Sequence, residues 1–288
     1  MDNKDKPIFL LGTGRCGSTY LQRLLCASDG VWIWGEHDGF LASITRMLRV
    51  LDENRPLDKW HFNEKLKSSD YANLSSIDAN DLAWMNPFSR DEFVAGARRF
   101  IVDLFASKLP PGKTRWGFKE IRYGPASRVP DILLQIFPKA TIIITARRAA
   151  PTIVSSISSW NMNLLRESKE GYDEKSLRMA IRSRADNWLK YFEYFAELIK
   201  KNPERVFVYR IESPAQLPGL FKAIGVEFSN EVRELSAAVL NSSKKAKAVQ
   251  ENSVLMTIFN EELSAFDDKF RKVEEGMGYS SAPAPVPG

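Results

Sequence analysis

Residues 7–19 read PIFLLGTGRCGST, and a helix-forming stretch, YLQRLLCA, follows at once. The apolar run 7–11 has the length of a buried strand, and the glycines after it break the pattern before a helix starts near Thr19. A buried strand, a glycine turn and a helix form the opening unit of a parallel sheet covered by helices. The rest of the chain repeats that alternation. Short apolar runs at 31–34, 115–119, 140–145 and 205–209 read as four more strands, with ATIIIT at 140–145 the clearest. Helical spacing fills the intervals: 19–27, 40–51, 89–109 opening on Ser89 with Asp91 and Glu92 in its first turn, 128–137, one from about 150, 176–201, 214–224, 229–240, and a last helix ending near 275. The fold class is therefore α/β: a three-layer, P-loop-like fold with a central parallel sheet flanked by helices. One domain is expected over 1–275, with 52–89 as an inserted region and 276–288, ending SSAPAPVPG, as a disordered tail.

Composition removes several function classes. The 288 residues are 44% hydrophobic and 27% charged, the balance of a soluble globular chain. No apolar run approaches the roughly 18–20 residues of a membrane helix, and the first apolar stretch is too short for a secretory signal core. Two cysteines, Cys16 and Cys26, exclude a disulfide scaffold and suit a reducing cytoplasm. With only His37 and His61 beside them, a zinc centre would need carboxylate help, so no metal is expected. A net charge of +5 asks for an anionic partner without naming it.

Two loops narrow that partner. In Gly12–Thr19 the glycines let backbone N–H groups turn inward around an anion at the positive end of the following helix. The spacing of Gly12 and Gly17 is that of a Walker A loop, but Ser18 stands where that motif requires lysine. Arg15 instead puts a fixed charge inside the loop. The strand 140–145 is followed by Ala146, Arg147 and Arg148, where a Walker B strand would end in aspartate to hold Mg²⁺. Ligands of open parallel sheets sit beyond the carboxyl ends of the strands, and an arginine fork there suits phosphate. Both departures favour an anion held by arginine.

Taken together, GTGRCGSTYLQRLL, Glu36, ITARRAAPTIVSS and VYRIES resemble the sulfotransferases that use 3′-phosphoadenosine-5′-phosphosulfate (PAPS). The resemblance implies that Gly14, Arg15, Cys16, Gly17, Ser18 and Thr19 bind the 5′-phosphosulfate, with Arg15 in place of the commoner lysine. It implies that Arg147 and Ser155, eight residues apart, hold the 3′-phosphate. Tyr209 falls in a loose match to the family's later strand, and Lys119 in the strand where members carry a lysine near the transferred group. Lys244, Lys245 and Lys247 are candidates for a basic loop closing over the donor. PAPS is then the donor, adenosine 3′,5′-bisphosphate the product, and no metal is required, since a terminal sulfate carries less charge than a terminal phosphate.

Sulfuryl transfer needs cations at the departing phosphate oxygen, for which Arg15 and Lys119 are suited, and a base for the acceptor hydroxyl. Glu36 follows Gly35 after the second strand, as the base does in glutamate-using members; His37 beside it is the rival. Trp32, Trp34, Trp60, Trp84 and Phe88 could line a pocket for a small-molecule, carbohydrate or lipid alcohol, or could simply fill the core. Two other readings stay open: a degenerate P-loop kinase, and a non-catalytic module for nucleotides or nucleic acid. Nucleic acid is not expected as a partner, and no integral membrane segment is expected.

Overall fold

The computed structural model describes residues 5–53, 88–167, 171–237 and 248–280. Five strands, β1 (Ile8–Gly12), β2 (Val31–Trp34), β3 (Arg115–Glu120), β4 (Thr141–Ala146) and β5 (Val206–Arg210), form one parallel sheet in the order β2-β3-β1-β4-β5. Each lies within a residue or so of its expected position. Successive side chains of a strand point to opposite faces, and that alternation divides the core in two. Ile8, Leu10, Val31, Ile33, Ile143 and Tyr209 face one helical layer. Phe9, Leu11, Trp116, Phe118, Ile142 and Ile144 face the other.

The first layer holds α1 (Ser18–Ala27), which buries Leu21, Leu24 and Leu25, with α7 (Leu217–Ala223) and α8 (Asn230–Ala237). The opposite layer holds α2 (Ala42–Glu53), α3 (Arg90–Phe105), α4 (Val129–Ile136), α5 (Ala149–Trp160) and α6 (Glu174–Lys201). The Ser89 expectation holds: its hydroxyl accepts from the Glu92 N–H at 3.1 Å, while its own N–H donates to Glu92 Oε2 at 2.7 Å. The long helix α6 buries Leu177, Ile181, Ala185, Trp188, Phe192 and Phe195 along one stripe.

The last helix differs from its expectation. It is two helices, α9 (Ser253–Ser264) and α10 (Asp267–Gly276), both packed on α6. The apolar spacing runs through the break and no proline or glycine marks it, so periodicity could not reveal it. Packing on α6 does: Glu262 of α9 is tied to Arg178 and Arg182 of α6, and Phe270 of α10 meets Trp188 edge-on at 5.5 Å. Met277 and Tyr279 are buried, so the packed body passes residue 275. Most of the insert, with Trp60 and Trp84, and Lys244, Lys245, Lys247 and residues 281–288 lie outside the described residues. Among those described, no helix is long and apolar enough to cross a membrane.

Candidate active site

Strand order decides the site. β1 lies between β3 and β4, so its C-terminal loop emerges with Lys119 and Glu120 on one side and Arg147 on the other. Within the loop Arg15 (φ 70°) and Gly17 (φ 79°) both have positive φ, the left-handed backbone from which anion-binding turns are built. A side chain at Gly17 would also start 2.4 Å from Ile211 Cδ1. Helix α1 then begins on Gly17 with no side-chain cap and no acid in its first turn, leaving its amino-terminal end available to an anion. Ser18 is buried and Thr19 exposed. Cys16 is fully buried, its Sγ 3.0 Å from Thr13 Oγ1, and burial pushes its thiol pKa up. Cys16 can therefore serve a ligand through its backbone alone.

Lys119 pairs in register with Leu10, and this puts its side chain on the α1 face. Its Nζ lies 3.3 Å from Thr19 Oγ1 and 2.5 Å from Glu36 Oε1. Thr19, Lys119 and Glu36 thus form one line from the end of the glycine loop to a carboxylate. Arg122, which sequence reasoning missed, donates from Nη1 to the other Glu36 oxygen at 3.0 Å. Its position two residues after Glu120, beyond the end of β3, was the available signal.

The loop carrying Glu36 is held from beneath by Glu120, which has no solvent exposure. Oε2 accepts from the N–H groups of His37 at 3.0 Å and Gly39 at 2.9 Å. Oε1 accepts from the N–H of Ile121 at 2.9 Å and from Arg122 Nη1 at 2.8 Å. Burial alone would raise this carboxyl's pKa, but the Arg122 guanidinium and the backbone donors together hold it below the usual carboxylate value. Glu120→Ala should therefore cost about 1–3 kcal/mol, because it leaves the N–H groups of His37, Gly39 and Ile121 without their acceptor, while the largely exposed Arg122 returns to solvent. Because the folded-state pKa is depressed, the stability Glu120 contributes is complete above the ordinary carboxylate range and is lost as pH falls through the lower value. Urea unfolding of the variant checks this; an unchanged midpoint at neutral pH would show that the loop does not depend on Glu120.

His37 does not share the site. Its ring packs edge-on against Phe118 at 4.7 Å and Phe40 at 5.0 Å. Its Nε2 is 2.6 Å from the Tyr123 hydroxyl. Burial lowers its pKa, so it sits as a neutral core histidine.

On the β4 side, Arg15 Nε donates to Ser155 Oγ at 3.0 Å, and Arg147 Nη1 approaches the Arg15 carbonyl at 3.4 Å. The two loops singled out in the sequence, 132 to 140 residues apart, are one cluster. Trp160, also missed, is half exposed and stands over Gly14; a side chain there would begin 2.1 Å from its ring. Tyr209 is not brought to the cluster's surface. Its ring is fully buried beside Tyr20, and its hydroxyl has no partner among the described residues. Trp34 likewise serves packing, its indole N–H donating to the Phe105 carbonyl at 2.9 Å.

No curated protein sequence matches the chain. Similar solved structures include the sulfotransferase domain of the olefin synthase from Synechococcus PCC 7002, with 14% identity, a TM-score of 0.48 and 96% of each chain covered. Sulfotransferase STF9 from Mycobacterium avium shows 15% identity and a TM-score of 0.44, over 91% of this chain and 77% of that one. Retinol dehydratase in complex with androsterone and the inactive cofactor PAP shows 14% identity and a TM-score of 0.44, over 99% and 84%. The family model described as "Sulfotransferase family" matches residues 7–210, which span all five strands, the Gly12–Thr19 loop, Glu36, Lys119, Arg147 and Ser155. On that match the chain belongs to the sulfotransferase family.

Proposed function

We propose that the chain transfers a sulfuryl group from PAPS to an acceptor hydroxyl, without a metal, and that Glu36 is the general base. The observation that carries this reading is the continuous contact from Thr19 through Lys119 to Glu36 at the open end of the anion loop. The residues fit the donor. An uncapped helix N-terminus, two left-handed loop residues and Arg15 suit its 5′ end, and Arg147 with Ser155 suits its 3′-phosphate. When bound, PAPS supplies an activated sulfuryl group on an anionic leaving group.

The chain's own residues then divide the work. Arg15, Lys119 and the first turn of α1 stabilise negative charge at the loop. Glu36 takes the proton of the acceptor hydroxyl, and Arg122 holds its second oxygen so that one lone pair keeps a fixed direction. Lys119 serves both ends, since one ammonium can neutralise Glu36 at rest and face the donor when it arrives. The burial of His37 favours Glu36 over its neighbour. The acceptor class is an alcohol of a small molecule, carbohydrate or lipid, and a cytoplasmic setting suits the two free thiols.

The test is calorimetry in EDTA with adenosine 3′,5′-bisphosphate, together with sulfate transfer from PAPS to a panel of alcohols. Binding without metal is the expected result. No heat at near-millimolar ligand, alongside binding of ATP with Mg²⁺, would overturn the reading in favour of a kinase.

A further inference from the structure

Arg147 sits just before α5, and the turn that carries it is held at several points by distant parts of the chain. Trp188 Nε1 of α6 donates to the Arg147 carbonyl at 3.2 Å. Thr152 Oγ1 donates to the Arg148 carbonyl at 2.8 Å. Helix α5 has no side-chain cap from its own cap residue and no acid in its first turn. Its first N–H groups are instead claimed by two glutamates. The Arg148 N–H donates to Glu212 Oε1 at 2.9 Å, from just beyond β5, and the Ala149 N–H donates to Glu274 Oε1 at 2.9 Å, from α10.

The same two carboxylates are tied to their surroundings. Glu274 Oε2 accepts from Arg148 Nη1 at 2.7 Å. The Tyr279 hydroxyl donates to Glu212 Oε2 at 3.0 Å, and the Arg148 guanidinium lies 4.9 Å from the centre of the Tyr279 ring. Arg210 at the end of β5 donates to the carbonyls of Met277 and Gly278, fastening the segment that carries Tyr279.

Two consequences follow from the chemistry. Carboxylates occupy the positive end of α5, so that helix end is closed to an external anion. Recognition beside it then falls to the Arg147 side chain, whose planar fork discriminates only if its direction is fixed. Arg148 is engaged by Glu274 and Tyr279 and points away, while Arg147 reaches toward the Arg15 carbonyl.

We propose that Glu212, Glu274 and Tyr279 are positioning residues that aim Arg147 at the donor's 3′-phosphate, so that a carboxy-terminal clamp sets donor affinity and the preference for a 3′-phosphorylated nucleotide. This inference rests on the PAPS reading above. All three residues lie beyond the stretch, 7–210, that matches the family model.

The experiment compares dissociation constants for adenosine 3′,5′-bisphosphate and adenosine 5′-monophosphate by calorimetry, for wild type, Glu274→Ala, Glu274→Gln, Tyr279→Phe and Arg147→Ala. Unfolding midpoints are measured alongside. Glu274→Ala should weaken the bisphosphate on the order of 10- to 100-fold, as expected for a misaimed binding group, and leave the monophosphate unchanged. Glu274→Gln keeps an acceptor for the Ala149 N–H but loses the negative charge that faces Arg148, and should fall between. Tyr279→Phe keeps the ring under Arg148 and removes one hydroxyl, giving a smaller shift of the same sign in a variant that retains its packing.

Equal losses for both nucleotides would overturn the clamp and leave only a structural role for these residues. An unchanged ratio in Tyr279→Phe and the Glu274 variants, with Arg147→Ala still lowering it, would also overturn the clamp while the PAPS reading stands. Wild type binding both nucleotides equally would overturn both.

Discussion

Glu36→Gln is expected to leave affinity for adenosine 3′,5′-bisphosphate within a factor of a few and to lower turnover by roughly 10²–10⁴-fold, the usual contribution of a general base. The substitution keeps the size of the side chain and one oxygen for Lys119 or Arg122, and it removes the capacity to take a proton at neutral pH. Two cations contact this carboxylate, Lys119 at 2.5 Å and Arg122 at 3.0 Å. Some ground-state pairing is therefore lost as well, and donor affinity is the control for it. His37→Ala should act differently. That ring is packed among Phe40, Phe105 and Phe118, so its loss should lower stability before it touches the chemistry. The measurement is sulfate transfer by both variants to an acceptor the wild type accepts. Full activity in Glu36→Gln with a dead but folded His37→Ala would move the base to histidine.

Arg147→Ala should weaken adenosine 3′,5′-bisphosphate by on the order of 2–4 kcal/mol, about 30- to 1,000-fold, because it removes a charged fork from a phosphate in a partly desolvated site. Adenosine 5′-phosphosulfate lacks the 3′-phosphate and should lose little. Arg147 also reaches the Arg15 carbonyl at 3.4 Å, so a part of any effect could travel through the first loop. The two ligands separate these routes. A loss through the loop affects both, and a loss of the phosphate contact affects only the bisphosphate. Calorimetry on the pair is decisive, and equal losses would make Arg147 a support for the loop.

Much of this architecture is readable from local pattern. β1, β2, β4 and β5 are short, mainly apolar runs whose burial follows from their composition, whereas β3 (RWGFKE) buries Lys119 and Glu120 against its composition; the Ser89 cap follows from hydroxyl and carboxylate spacing. The first loop is readable for the same reason: glycines and a cation between a strand and a helix confine the backbone locally. The same locality limits the rest. The break between α9 and α10 has no local mark, and the burial of Tyr209 depends on what α1 and α7 place over β5.

What the sequence alone determined is therefore the α/β class, the five strands and the glycine loop between β1 and α1, together with the list of charged residues near the strand ends. Only the tertiary structure decided which of them meet. Glu36 and Lys119 are 83 residues apart and touch because β3 inserts between β1 and β2 in the sheet. Arg122 and Glu120 hold the Glu36 loop for the same reason. His37, adjacent to Glu36 in the chain, turns into the core because its backbone N–H is held by Glu120 while four aromatic rings enclose its side chain. Periodicity reports the hydrogen-bonding repeat and the buried face of one segment. The meeting of side chains across segments depends on strand order and packing, which no single segment encodes.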